Sequence, residues 1–181
     1  TQSHLRVAFA AGELVDAYRL HGHRAARLDP LGSEPVGHPM LDPAFHGTSE
    51  EELATVPTDL FGLEHAGSNM RDALHWLRSV YCGSIGYEYE FLEDPTSREW
   101  LREQIESGAH RVQLDAAAQR RLLDRLTQVE AFEQFLHRSY LGQKRFSLEG
   151  NDMMVPMIDR AIEQAARAGA KEIVIGMAHR G

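Results

Sequence analysis

The stretch KEIVIGMAHRG, residues 171 to 181, decides how the rest of the chain reads. Its apolar run Ile173-Val174-Ile175 is short and does not alternate, the pattern of a strand buried on both faces of a parallel sheet. Just upstream, from Asp152 to Ala168, Met154, Met157, Ile158, Ala161, Ile162 and Ala165 recur at helical spacing. Asn151 or Asp152 reads as the N-cap, and Gly169 falls just past the end. Helix, tight turn and buried strand make half of a βαβ crossover, so the expected fold class is α/β. In open α/β sheets ligands gather outside the carboxyl ends of the strands, which is where Met177 to Gly181 would lie. An imidazole beside a guanidinium at that place suits an anionic, carbonyl-bearing substrate. Arg180 can hold a carboxylate in its fork, and His179 can donate to developing oxyanion charge.

Upstream, the chain divides by pattern. Leu5, Phe9, Leu14, Val15, Tyr18 and Leu20 follow a helical period and predict a helix from Leu5 to His21. Residues 28 to 68 are rich in turn formers, among them Asp29-Pro30, Gly32, Pro35, Gly37, Asp42-Pro43 and Gly47. They read as a long irregular connector with one helix-like interval, Ser49 to Ala54. Such a segment buries too little alone to offset its conformational entropy, so it wraps a larger body or reaches a partner. Met70, Leu74, Leu77 and Val80 predict an amphipathic helix. After the break at CGSIG, the alternation of Ile85, Tyr87, Tyr89 and Phe91 predicts a half-buried strand. Two more helices follow, Arg98 to Ser107, opened by Asp94-Pro95-Thr96-Ser97 and closed by Gly108, and then residues 115 to 138. No internal repeat is visible.

Composition sets limits. The chain has 181 residues, 43% hydrophobic and 25% charged, enough for one core or two small ones. With 19 basic against 27 acidic residues the formal charge is −8, and the cations are scattered, which argues against nucleic acid as a partner. No apolar run approaches the roughly 20 residues of a membrane span, and no signal-peptide pattern opens the sequence. The expected location is therefore the cytoplasm or, as the second choice, a mitochondrial matrix. One cysteine, Cys82, leaves no internal disulfide and no cysteine-based metal cluster.

Several groups compete as sites. His21 and His23, with His38 and His46 downstream, lack H-x-x-x-H or H-E-x-x-H spacing, so helix termination and hydrogen bonding are the expected roles and no metal ligand is assigned. GSIG and LEG are glycine turns without the spacing of a phosphate cradle. Cys82 has no positioned base and reads as a small buried hydrophobe. KRFSLEG, residues 144 to 150, places two cations, a hydroxyl and a carboxylate beside a glycine, immediately before the terminal helix and strand. On its own it is equally a strand end or a functional loop.

Four segments, AYRLHGHRAARLDPLG, YCGSIGYEYEFL, FLHRSYLGQKRFSLEGNDMMVPMI and EIVIGMAHRG, stand in an order and spacing that resemble the decarboxylating first component, E1, of the 2-oxoglutarate dehydrogenase complex. KRFSLEG followed some thirty residues later by GMAHRG carries most of that resemblance, and the HGH region supports it. The resemblance implies a thiamine diphosphate enzyme with a divalent metal, usually Mg2+. It decarboxylates 2-oxoglutarate and reductively succinylates the lipoyl domain of the E2 succinyltransferase, as a homodimer in a complex that also holds E3. The family's active-site histidine maps onto His179 and the adjacent arginine onto Arg180. FSLEG lines the approach to the cleft in the family fold, which makes Ser147 and Glu149 secondary substrate-binding candidates. The expected organisation is a small, mainly helical region over residues 1 to 143 and, over 144 to 181, the start of a thiamine diphosphate-binding parallel-sheet domain. The family's Gly-Asp-Gly and Asn motif is absent, so the cofactor and metal ligands are expected beyond residue 181 and the chain reads as an N-terminal piece, inactive alone. Two other functions remain open: the E1 of 2-oxoadipate dehydrogenase, which shares these motifs, and a non-catalytic assembly or docking module, for which the proline-rich connector would serve.

Overall fold

The computed structural model describes residues 2 to 176. Six α-helices are present among them: α1, Gln2–His21; α2, Glu50–Leu53; α3, Met70–Tyr81; α4, Pro95–Glu106; α5, Ala116–Ser139; and α6, Met154–Arg167. Short 3-10 turns fill much of the connector between α1 and α3. The chain divides into two compact units, residues 1 to 111 and 112 to 181, whereas the sequence pattern puts the boundary between residues 143 and 144.

The first unit is built on α1 and α3. Helix α1 buries Val7, Ala10, Ala11, Leu14, Val15, Ala17 and Tyr18, a stripe at three- and four-residue spacing. The helix is where its periodicity predicts it, but the buried face is turned from the expected one: Leu5, Phe9 and Leu20 are exposed. Alanines at 10, 11 and 17 give the close-packed side, because small side chains let a second helix body approach. That body is α3, with Met70, Ala73, Leu74, Leu77, Val80 and Tyr81 buried. Asn69 caps α3 by accepting from the Arg71 and Asp72 amides at 3.1 and 3.2 Å. The glycine of HGH has a packing reason: a Cβ on Gly22 would lie 2.5 Å from the Tyr81 Cβ.

The connector does wrap this pair. Leu41, Leu53, Val56, Leu63 and Ala66 all enter the core cluster. Its turns are held by local caps, with Asp42 Oδ1 accepting from the Ala44 amide at 2.9 Å and Ser49 Oγ from the Glu52 amide at 3.3 Å. Helix α4 is docked by a buried polar cluster. The Glu106 carboxylate accepts two bonds from the Arg19 guanidinium at 2.8 and 3.1 Å and one from the Tyr81 hydroxyl at 2.8 Å. The Tyr81 and Tyr89 hydroxyls are 2.9 Å apart. Burial, then the Tyr89 hydroxyl and the Glu106 charge, push the Tyr81 phenol far above its ordinary value.

The alternation at 85 to 91 does not make a strand. Residues 86 to 89 have no regular secondary structure, and no partner ladder exists among the described residues, where the one bridge is Pro57 to Asn69. Tyr89 is buried, Glu88 and Phe91 are exposed. The period is not kept in burial: of the four alternating apolar residues Tyr89 is buried and Tyr87 half-buried, while Ile85 and Phe91 are exposed.

The second unit consists of α5 and α6 with the loop between them. Asp115 caps α5 through the Ala118 amide at 2.7 Å. Arg125 on α5 meets Asp159 on α6 at 2.6 Å. Val129 is the one buried hydrophobe among the described residues of this unit, and α6 buries nothing. The expected α6 cap is also replaced. Met153 occupies the N-cap position with no side-chain bond, while Asp152 Oδ2 accepts from the Gly150 amide at 3.2 Å. Gly169 ends the helix at φ 96°. Beyond it the predicted strand 173 to 175 has no strand pairing, and Val174 is 94% exposed. Its peptide groups need neighbouring strands, and the described residues supply none. The described fold is thus helical, and the α/β character expected from this stretch is not formed in it.

Candidate functional site

His179 and Arg180, the strongest sequence candidates, lie outside the described residues. The two secondary candidates are placed. Ser147 and Glu149 sit in the exposed loop between α5 and α6, inside the second unit. What shapes this loop is a residue that the motif does not contain. Glu133, on α5, accepts from the Ser147 hydroxyl at 3.2 Å through Oε2 and from the Leu148 amide at 2.8 Å through Oε1. Ser147 Oγ then accepts from the Glu149 amide at 2.9 Å. A further turn closes where the Asn151 amide meets the Leu148 carbonyl at 2.6 Å. One carboxylate therefore organises three consecutive residues, 147 to 149. Sequence pattern offered no route to Glu133, because it lies 14 residues before Ser147 on a separate element, and no local period links the two.

Glu133 belongs to a trio. Carboxylate oxygens of Glu130, Glu133 and Asp152 lie within 4.8 Å of one another, the one such group of potential metal ligands among the described residues. Two of its members are already committed to loop amides, Glu133 to Leu148 and Asp152 to Gly150. Glu130 Oε1 accepts from the Gln134 side-chain Nε2 at 2.9 Å. Carboxylates can hold Mg2+, but two of these are already engaged by loop amides, and three acceptors supply none of the donors that diphosphate oxygens require, so the set is a poor fit to a magnesium diphosphate.

The histidines of the first unit take up structural contacts. His21 and His38 stack with ring centroids 3.9 Å apart. His46 places its two ring nitrogens 3.1 Å from Glu13 Oε2 and 2.9 Å from the Met40 carbonyl oxygen. His38 Nδ1 accepts from the Met40 amide at 3.3 Å. The His21 and His46 contacts tie the connector to the end and the middle of α1, while His23 Nδ1 is buried without a hydrogen-bond partner among the described residues.

An open cleft of about 1020 Å³ also lies in this unit, with Tyr18, His38, Arg78 and Cys82 in its lining. Its chemistry is muted. Arg78 donates to the Tyr18 hydroxyl at 3.3 Å and pairs with Glu50 at 3.8 Å. Burial pushes the half-buried Cys82 thiol up, away from the nucleophilic thiolate.

Comparison with known proteins adds the context that the geometry lacks. No family model matches the chain. It is similar to proteins named 2-oxoglutarate dehydrogenase E1 component: 42% identical over 180 residues to that of Cupriavidus necator, covering 97% of this chain. It is 37% identical over 171 residues to that of Bacillus cereus and 36% identical over 171 residues to that of Bacillus mycoides, covering 93% of this chain in each case. The chain spans 18 to 19% of the length of these curated relatives.

Proposed function

On the premise that this chain is a relative, along nearly its whole length, of the 2-oxoglutarate dehydrogenase E1 components, we propose that it forms part of a subunit that oxidatively decarboxylates 2-oxoglutarate. The observation that carries the proposal is that 93 to 97% of the chain aligns at 36 to 42% identity with proteins of that one name. The proposed partners are the lipoyl domain of the E2 succinyltransferase, E3 within the complex, and a second copy of the subunit. The proposed location is the bacterial cytoplasm. No helix among the described residues is long and apolar enough to cross a membrane.

Thiamine diphosphate with Mg2+ is the proposed cofactor, and it would supply the electron sink for decarboxylation. The acidic trio is a poor fit to it, and its ligands are proposed to lie in other parts of the full-length subunit. What this chain contributes is proposed to begin at residue 144, where the KRFSLEG loop, α6 and the 171 to 181 stretch start an α/β domain. The support is physical: Met154, Met157, Ile158 and the run 173 to 175 are apolar and exposed, which fits helix and strand surfaces made for a larger sheet. In that setting Arg180 would hold the substrate carboxylate, His179 would donate to oxygen as its charge develops, and Ser147 and Glu149 would line the approach.

The test is kinetic and uses a full-length subunit carrying this sequence, with cofactor and metal. Arg180→Ala should mainly raise KM, because it grips the carboxylate in ground and transition states alike. His179→Ala should mainly lower kcat, on the order of 100-fold or more, as for a lost oxyanion donor. A folded His179→Ala subunit with the parent's kcat and KM would refute the assignment. Comparing 2-oxoglutarate with 2-oxoadipate in the same assay decides between the two E1 readings.

A further inference from the structure

The loop 146 to 150 carries two substrate-binding candidates yet has no regular secondary structure to hold its shape. The printed geometry shows polar bonds shaping residues 147 to 149, and these converge on Glu133. Both oxygens of that carboxylate are used, one on a side-chain hydroxyl and one on a backbone amide, so the two bonds fix position and orientation together. The Ser147 hydroxyl relays the constraint by accepting from the next amide but one, that of Glu149. A charged acceptor on a helix is a firmer support than another loop group, because the helix backbone does not follow the loop's motion.

Resting on the proposed reading that this loop meets substrate, we infer that Glu133 is a positioning residue for it, setting the orientation of Ser147 and Glu149 without touching substrate itself. Neighbouring charge alone does not account for the arrangement. Glu130 and Asp152 lie as close, but neither bonds to residues 147 to 149. A glutamine at 133 would keep a carbonyl oxygen for the Leu148 amide and offer its own amide to Ser147, whereas alanine would leave both without a partner.

The experiment measures KM and kcat for 2-oxoglutarate in the full-length, cofactor-loaded subunit with Glu133→Ala, Glu133→Gln, Glu130→Gln, Ser147→Ala and Glu149→Gln. Glu133→Ala should raise KM by about tenfold, the equivalent of roughly one charged hydrogen bond, with a smaller effect on kcat. Glu133→Gln should recover most of that loss, and Glu130→Gln should change little. If Ser147→Ala and Glu149→Gln raise KM while Glu133→Ala does not, the inference is wrong and the reading of the loop survives. If none of the three changes KM, the loop does not meet substrate and both fall. If glutamine is as damaging as alanine, charge rather than hydrogen bonding is at work, which also overturns the inference. Should Glu133→Ala not fold, amide exchange at Leu148 in Glu133→Asp, whose carboxylate falls one methylene short, replaces it. Faster exchange there by about tenfold supports the positioning role, and unchanged exchange removes it.

Discussion

Helix α3 in the first unit and helix α6 in the second are both amphipathic, yet α3 buries Met70, Ala73, Leu74, Leu77, Val80 and Tyr81 while α6 buries nothing. The difference lies in what each helix meets. Helix α3 has α1 and the folded connector around it, and their side chains close a core. Helix α6 is joined to α5 by an ion pair, and its apolar residues are at most half-buried. An apolar stripe states a demand for a partner surface, and only tertiary contact says whether the demand is met.

Amide hydrogen exchange on the 181-residue chain gives the largest expected contrast. Amides inside α1 and α3 should exchange on the order of 1,000-fold or more slower than those of residues 171 to 176, because the former open only with the core. Strong protection of Ile173 to Ile175 in a proven monomer would break the comparison and mean that the apolar run has found a sheet.

Core truncation should separate the units next. Leu74→Ala removes a fully buried side chain and should cost about 2 to 5 kcal/mol, whereas Met157→Ala, exposed on α6, should cost within about 0.5 kcal/mol in the same chain. Urea unfolding measures both. Trp76 and Trp100 belong to the first unit, so their fluorescence reports on that unit, while far-UV circular dichroism reports on all the helices. An equal cost for the two substitutions would show that α6 has a core after all.

A smaller effect is expected from pH. Tyr18, Tyr81 and Tyr89 are all raised above the ordinary tyrosine value of 10.0, burial being the first cause for each, and all lie in the first unit. A raised phenol binds its proton more tightly folded than unfolded. Its contribution is complete below pH 10 and is lost as pH rises above that, because the unfolded chain then holds fewer protons. Stability of the first unit should fall by up to about 1.4 kcal/mol per pH unit for each such tyrosine. Tyr81→Phe should flatten that slope while lowering stability at neutral pH by about 1 kcal/mol, through the hydroxyl bonds to Glu106 and Tyr89. Thermal melts from pH 8 to 11 compare the two proteins, and identical slopes would contradict the role given to Tyr81.

The elements were legible where their signals are local. Periodicity located every long helix to within a few residues, and the Asp94-Pro95-Thr96-Ser97 start of α4 is a cap, Asp94 accepting from the Ser97 amide, whereas the cap expected for α6 is not the one formed. Misreadings arose where a pattern has two physical causes. Alternation at 85 to 91 suits a strand or an irregular segment that buries one residue, Tyr89, and the apolar run 173 to 175 suits a strand only if others stand beside it. The candidate site divides the same way: Ser147 and Glu149 were visible as a motif, and Glu133 was not.

The helices, the turn-rich connector and the motifs that tie this chain to its relatives were readable from sequence, because each of these depends on residues close along the chain. Tertiary structure alone decided which face of α1 is buried, why Gly22 must lack a side chain, how Glu106 collects Arg19 and Tyr81, and which carboxylate holds the 147 to 149 loop. Those are meetings between residues far apart in sequence, and a sequence pattern records that a surface is apolar or charged without recording what it touches.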